Sequence, residues 1–375
     1  MYDKPPFSRP FSMEEYQKDS SIKYNRINNQ EMLLQEVAPS VKEGLKADLI
    51  RDGRWYIEWL SECMNDDYVD ELANYLNEDP RLLDLPPETD SLVIIPVGAT
   101  GDSDRIYNTL AKYSTQDSDD YRSTSILLWV NMLEEQVKNQ NSIALANTTY
   151  SEIERAKEDF TSLNLIDLYY GTSIEDVKAT EATGGPWGII MRKFYDIAAL
   201  TALHHVEKNS SSHSDLLIIR NDSDPIELEE EYLHQWKAAV KSMEDYDGYQ
   251  GMSRFGDYDE REALFPGLSL IMNFIPVFDK YVGDHRRFQA ANFAFKASAY
   301  CQMGGMGTPY YTGIGSCDAL LGERLKNVLR LRKERGGTEP STIGLVPVRL
   351  KTDWSRPLAA YLNNRNPQRA WTTWY

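Results

Sequence analysis

Basic residues are in short supply: 40 Lys and Arg stand against 58 Asp and Glu, a formal net charge of −18 over 375 residues. A chain this acidic offers no broad positive face, which excludes a general binder of nucleic-acid backbones and leaves room only for a small basic pocket. Cysteine is scarce too. Cys63, Cys301 and Cys317 lie far apart and lack metal-ligand spacing, so neither a disulfide framework nor a zinc site is expected, and a reducing compartment is favoured. Nor is there an apolar run of about 18 residues, and the opening MYDKPPFSRPFSMEEYQ lacks the apolar stretch of a signal peptide. The expectation is a cytoplasmic protein with no membrane span and no nucleic-acid partner.

What is present suffices for a large core, since 41% of the residues are apolar. Residues 13–84 are polar and helical in pattern, with apolar residues at helical spacing in LLQEVAPSVKEGLKADL, RWYIEWLSECM and DDYVDELANYLNED. Pro86-Pro87 then breaks the chain. SLVIIPVG, STSILLWVNM, LNLIDLYYG and residues 216–219 read as buried strands, separated by the helical DSDRIYNTLAKY, by a helix around EIERAKEDF opened by a Ser151/Glu154 capping pattern, and by a helix over 187–207. Strands alternating with helices predict an α/β fold, a mostly parallel sheet with helices on both faces, preceded by an N-terminal helical extension. After Pro225 comes a helix, ELEEEYLHQWKAAVKSME, and then glycine-rich and aromatic stretches without clear period. The expected division is an extension over 1–88, a ligand-binding α/β half over 89–225, and a second half with a C-terminal tail over 226–375.

The most informative stretch is DLLIIRNDSDP. Leu216–Ile219 form a strand buried on both faces, so Asp222 and Asp224 emerge at its carboxyl end, where open α/β sheets bind ligands. Two carboxylates one residue apart can share a hard divalent cation, which in turn neutralises a diphosphate. The plainer alternative is a turn in which Asp222 or Ser223 caps a helix beginning at Glu227.

Several separate pieces also fall in the order of one family. VIIPVGATGDSDRIYNTL, ILLWVN, GGPWGIIMRKFYDIA, IIRNDSD, NFAFKASAYCQMGGM, GSCDALLGERL and VRLKTDWSRPLAAYL resemble, in turn, the segments of nucleotide-sugar glycosyltransferases with the GT-A fold, most like family 2, over roughly residues 90–362. Two positions depart from the pattern. Cys317 stands where an acidic residue usually precedes the aspartate, and Gly98-Ala99-Thr100 replaces an aromatic–asparagine–glutamate loop.

The resemblance implies a Rossmann-like GT-A sheet and a metal-dependent transfer of sugar from a nucleotide-diphosphate donor to an acceptor hydroxyl on a glycan, lipid-linked or small molecule. Asp224 would ligate Mn²⁺ or Mg²⁺ bridging the phosphates. Asp222 would ligate through water or hold the donor ribose or sugar. Pro96, Val97 and Ala99 would contact base and ribose, Asn131 the nucleobase, and Arg192 and Lys193 the phosphates, the alternative for the last two being a solvated helix face. Asp318, at a helix start, would be the base of an inverting reaction, its alternative a helix cap. A nucleotidyltransferase on a related sheet, or a binding or scaffold protein that has lost the chemistry, are the competing readings.

Overall fold

A computed structural model of the chain describes residues 49–63, 66–116, 118–172, 187–209, 215–223, 225–243, 246–255, 292–306, 321, 322, 325 and 343–352. Two helices, α1 (Leu49–Cys63) and α2 (Asp66–Glu78), and a short turn at Pro80–Leu82 precede the first strand. Then follow β1 (Ser91–Gly98), α3 (Ile106–Ser114), α4 (Ser118–Arg122), β2 (Thr124–Leu133), α5 (Glu134–Val137), α6 (Gln140–Asp159), β3 (Asn164–Thr172), α7 (Trp187–Lys208) and β4 (Leu217–Arg220). The rest comprises β5 (Pro225–Leu228), α8 (Tyr232–Ser242), β6 (Gly248–Phe255), β7 (Phe293–Lys296), α9 (Ala297–Gln302) and β8 (Gly344–Thr352).

The strands form one mixed sheet in the order β3-β2-β1-β4-β7-β6-β8-β5. The expected α/β half is parallel throughout, β1 lying between β2 and β4. Beyond β4 the character changes: β7 runs antiparallel to both β4 and β6, β8 parallel to β6, and β5 antiparallel to β8. The fold is α/β, a parallel half with flanking helices that is compatible with a Rossmann-like fold, extended by a mixed half.

Burial on both faces explains the unbroken apolar runs of β1 and β2. Successive side chains point to opposite faces. Leu92, Ile94, Leu127, Trp129 and Ile218 meet α7 and α9, whereas Val93, Ile95, Val97, Leu128 and Ile219 meet α3, α6 and α8. The right-handed crossover rule assigns the faces. The chain steps from β1 to β2 to β3 in one direction, putting α3 and α6 on one side, then returns past β1 to β4 and puts α7 on the other.

Two local expectations are corrected. Ser151 does not open a helix; α6 begins at Gln140, where Asn139 Oδ1 accepts from the N–H groups of Asn141 and Ser142, and Ser151 Oγ bonds back to Asn147 O at 2.9 Å in mid-helix. Asn139 supplies the capping oxygen at the start of this same helix, about three turns before Ser151. The segment from Glu227 is not a helix start either. Pro225–Leu228 pair with β8, and α8 begins only at Tyr232. The bonding opportunity of a sheet edge overrides the acidic run's helical pattern, so Asp222 and Ser223 cap nothing there.

The N-terminal helices complete the face that α7 only partly covers. Leu49, Tyr56, Leu60 and Leu72 share one core cluster with Ile94, Trp129, Phe194 and Phe295. Gly53 allows the close approach, because a Cβ there would lie 2.7 Å from Leu203 Cδ2 of α7. Polar ties reinforce it: Tyr56 Oη donates to Asp196 Oδ1 at 2.6 Å, Gln302 Nε2 to Asp52 Oδ2 at 2.6 Å, and Arg81 pairs with Asp167 of β3 at 3.1 Å. Among the described residues no helix is long and apolar enough to cross a membrane.

Candidate ligand site at the carboxyl ends of β1, β2 and β4

The site follows from one proline. Even-numbered residues of β1 direct their backbone groups at β4, as Ile94 O does when it accepts from Asn221 N at 3.0 Å. The ladder with β4 ends at the Ile94–Arg220 pair, so Pro96, which has no N–H to give, sits where no bond is asked of it. On the other side β1 stays paired with β2 through Gly98–Asn131. β1 and β4 therefore part at their carboxyl ends, where the strand order reverses direction. This is the topological switch point at which such sheets hold ligands.

The β1 side of the opening is firmly built. Gly98 N–H donates to Asp102 Oδ2 at 2.7 Å, and Gly98 O accepts from the N–H groups of Gly101 and Asp102, each at 3.0 Å. Ala99 N–H donates to Asn131 O at 2.8 Å, while Ala99 O accepts from Thr149 Oγ1 of α6 at 2.6 Å. Thr100 Oγ1 accepts from Gln136 Nε2 at 3.0 Å. Pro96, Ala99 and Asn131 thus share one corner. Val97 does so through its backbone, its side chain being fully packed under α3.

On the β4 side, Asn221 is the hub. Its Nδ2 donates to Tyr113 Oη at 2.5 Å and reaches Tyr232 Oη at 3.3 Å, and Tyr232 Oη donates to Asn292 Oδ1 at 2.9 Å. Burial pushes both phenols well above their ordinary range, so they stay neutral and can donate and accept together. Asn292 holds a left-handed backbone at φ 71 that lets its N–H donate to Arg220 O and its carbonyl accept from Gly251. The network therefore links α3, α8, β4, β6 and β7 beneath the turn. Asn221 Oδ1 in turn accepts Asp222 N–H at 2.9 Å, and Thr109 Oγ1 holds Ser223 O at 2.7 Å.

Asp222 stands at the rim of this assembly, its side chain 22% exposed and its Oδ1 2.8 Å from Arg220 Nη1. Arg220 is itself only 2% exposed, and the same Nη1 donates to Asn221 O. Arg192 and Lys193 are not a solvated helix face. Both are buried, and Arg192 Nε lies 3.6 Å from Asp196 Oδ2 one turn along α7. Since His205 Nε2 meets Thr89 O at 3.1 Å below β1, the roughly 20 Å of helix between residues 205 and 192 raises Arg192 about level with the Ile94–Arg220 pair. Asp224, Asp318 and its neighbour Cys317 lie outside the described residues.

A divalent cation would fit Asp222 in chemistry, a hard carboxylate at a strand end. It would have to take that carboxylate from Arg220. Among the described residues no group of three or more His, Cys, Asp or Glu side chains converges. The residues that the sequence left unmarked are Asp102, Arg220, Asn221 and Asn292. Arg220 and Asn221 stand inside the IIRNDSD motif, and their burial at its base is the feature a one-dimensional reading lacks. No protein-family model matches the chain, and no curated protein matches it in sequence.

Proposed function

We propose that the chain is a glycosyltransferase of GT-A type that moves a sugar from a nucleotide-diphosphate donor to a hydroxyl acceptor. The observation that carries this reading is the parting of β1 and β4 above the Ile94–Arg220 pair, with Asp222 on one side and the braced Pro96–Ala99 turn and Asn131 on the other. In it the turn and Asn131 receive base and ribose, and Asp222 and Asp224 face the diphosphate. Lys193 lends positive potential from α7, Arg192 being offset there by Asp196, and Asp318 takes the acceptor's proton. A bound Mn²⁺ or Mg²⁺ would neutralise the leaving diphosphate.

Binding without transfer is the second reading. One observation favours it: the carboxylate a cation would need already neutralises Arg220. Thermal-shift titration of UDP-, GDP- and ADP-sugars with and without Mn²⁺, followed by assay of free sugar release, tests both. Under the transferase reading one donor raises the melting temperature in a Mn²⁺-dependent way and is slowly hydrolysed. A shift without hydrolysis favours the binding protein, and no shift with any donor rejects the site.

A further inference from the structure

We propose that Arg220 is the diphosphate-binding group of this site, held in reserve by Asp222 until a divalent cation takes the carboxylate. The proposal rests on the reading of the β1–β4 opening as a nucleotide-diphosphate site.

Two buried arginines are paired with carboxylates, and their partners differ in exposure. Arg192 faces Asp196, which is fully buried and also accepts from Tyr56 at 2.6 Å and Tyr300 at 2.5 Å, so that pair is locked into the core. Arg220 faces Asp222, the partly exposed rim residue, with Nη1 2.8 Å from Oδ1. The second pair is therefore the one a ligand can reach. A carboxylate cannot coordinate a cation and keep a guanidinium at the same oxygen without cost, because the two positive charges would stand within a few ångströms of each other at low local dielectric. With a cation held at Asp222 the Arg220 guanidinium would be released, and it would then meet an anion in the planar, two-pronged geometry that suits phosphate oxygens. Cation and diphosphate would thus each lower the cost of binding the other.

Among the described residues, the other polar groups near Asp222 have bonds of their own. Lys112 is committed to Pro225 O at 2.6 Å, and Asn221 to the tyrosine network. The backbone at Asp222 is fixed through Asn221 Oδ1, so replacing its carboxylate by an amide leaves the turn in place.

The consequence runs against intuition: removing a metal-ligand candidate should strengthen anion binding. Calorimetric titration of the full chain with inorganic pyrophosphate in EDTA, and separately with Mn²⁺ alone, tests it on wild type, Asp222→Asn and Arg220→Met. Asp222→Asn is expected to bind pyrophosphate about tenfold more tightly than wild type and to lose Mn²⁺, and Arg220→Met to lose pyrophosphate and bind Mn²⁺ about tenfold more tightly. If Arg220→Met does not fold, the Asp222→Asn arm decides. Pyrophosphate affinity equal to or below wild type in Asp222→Asn overturns the proposal while leaving a nucleotide site intact, provided wild type binds the nucleotide sugar. Binding of neither probe by any of the three proteins overturns the underlying reading as well.

Discussion

Two buried tyrosine pairs, one on each face of the sheet, are built on opposite principles. On the α3/α8 face Tyr113 and Tyr232 meet the amide of Asn221, with no formal charge in their hydroxyl bonds. On the α7/α9 face Tyr56 and Tyr300 converge on the carboxylate of Asp196, which also faces Arg192. The neutral node lies directly under Asp222 and fixes the direction of a turn. The charged node joins three helices distant in sequence, α1, α7 and α9, and leaves the Gly305 turn no room for a side chain, since a Cβ there would collide with Tyr56 Oη. Charge serves where separate layers must be held in register, and neutral amides serve where a rim residue must stay available. Breaking each node should therefore have different consequences.

The largest effect is expected from removing the helices that carry Tyr56. A chain beginning at Ser91 lacks Leu49, Tyr56, Leu60, Leu72, Leu82 and Leu85, all buried. At roughly 1.5–3 kcal/mol for each large apolar side chain, their loss is on the order of 10 kcal/mol, comparable with the whole stability of a domain. The sheet's α7 face would also be laid open, so this chain should aggregate or lose its cooperative melting transition by circular dichroism. A cooperative transition at the full-length temperature would mean that α1 and α2 add nothing to the core.

Next come the single-group changes. Asp196→Asn retains an oxygen for the two phenols but removes the carboxylate beside buried Arg192, and should cost about 3 kcal/mol in urea unfolding. Tyr232→Phe removes one neutral hydroxyl from the other node and should cost about 1 kcal/mol. Equal losses would erase the distinction between the two nodes.

The sequence made the parallel half legible because its cues are local. SLVIIPVG and STSILLWVNM are short runs apolar on both faces and alternate with helical segments, which together point to buried parallel strands. The position of Asp222 after such a strand was readable for the same reason. The mixed half was not, since the four residues of β7 and the four of β5 are strands only by virtue of partners far along the chain. Residues before Ser91 read as an extension because amphipathic helices look alike whether they cover their own sheet or another molecule. Long-range contacts such as Tyr56–Asp196 and Arg81–Asp167, 140 and 86 residues apart, tell the difference. Arg220 escaped notice because a basic residue at a strand end ordinarily reaches solvent, whereas here it turns onto Asp222 two positions later.

The finest distinction between the faces is their response to pH. The α3/α8 node has only neutral groups in its hydroxyl bonds, and its phenols do not ionise near neutrality. On the α9 side, burial pushes the Asp215 carboxyl up to about 6, even though the N–H groups of Ser298 and Leu216 and the hydroxyl of Ser298 bond to it and Lys296 is nearby, all of which favour the charged form. With its folded value above the unfolded one, the native state holds more protons than the unfolded chain between about pH 4 and 6. Asp215 therefore contributes stability that is fully present below about pH 4 and is lost as pH rises through about 6. Allowing for the solvent that reaches it, the loss is on the order of 1–2 kcal/mol. Asp215→Asn cannot ionise, so its unfolding free energy should gain on wild type by that amount between pH 4 and 7, whatever its absolute cost. Tyr232→Phe should instead run parallel to wild type across the same range. Parallel curves for Asp215→Asn would mean that its hydrogen bonds outweigh burial and that Asp215 does not set the two faces apart in this window.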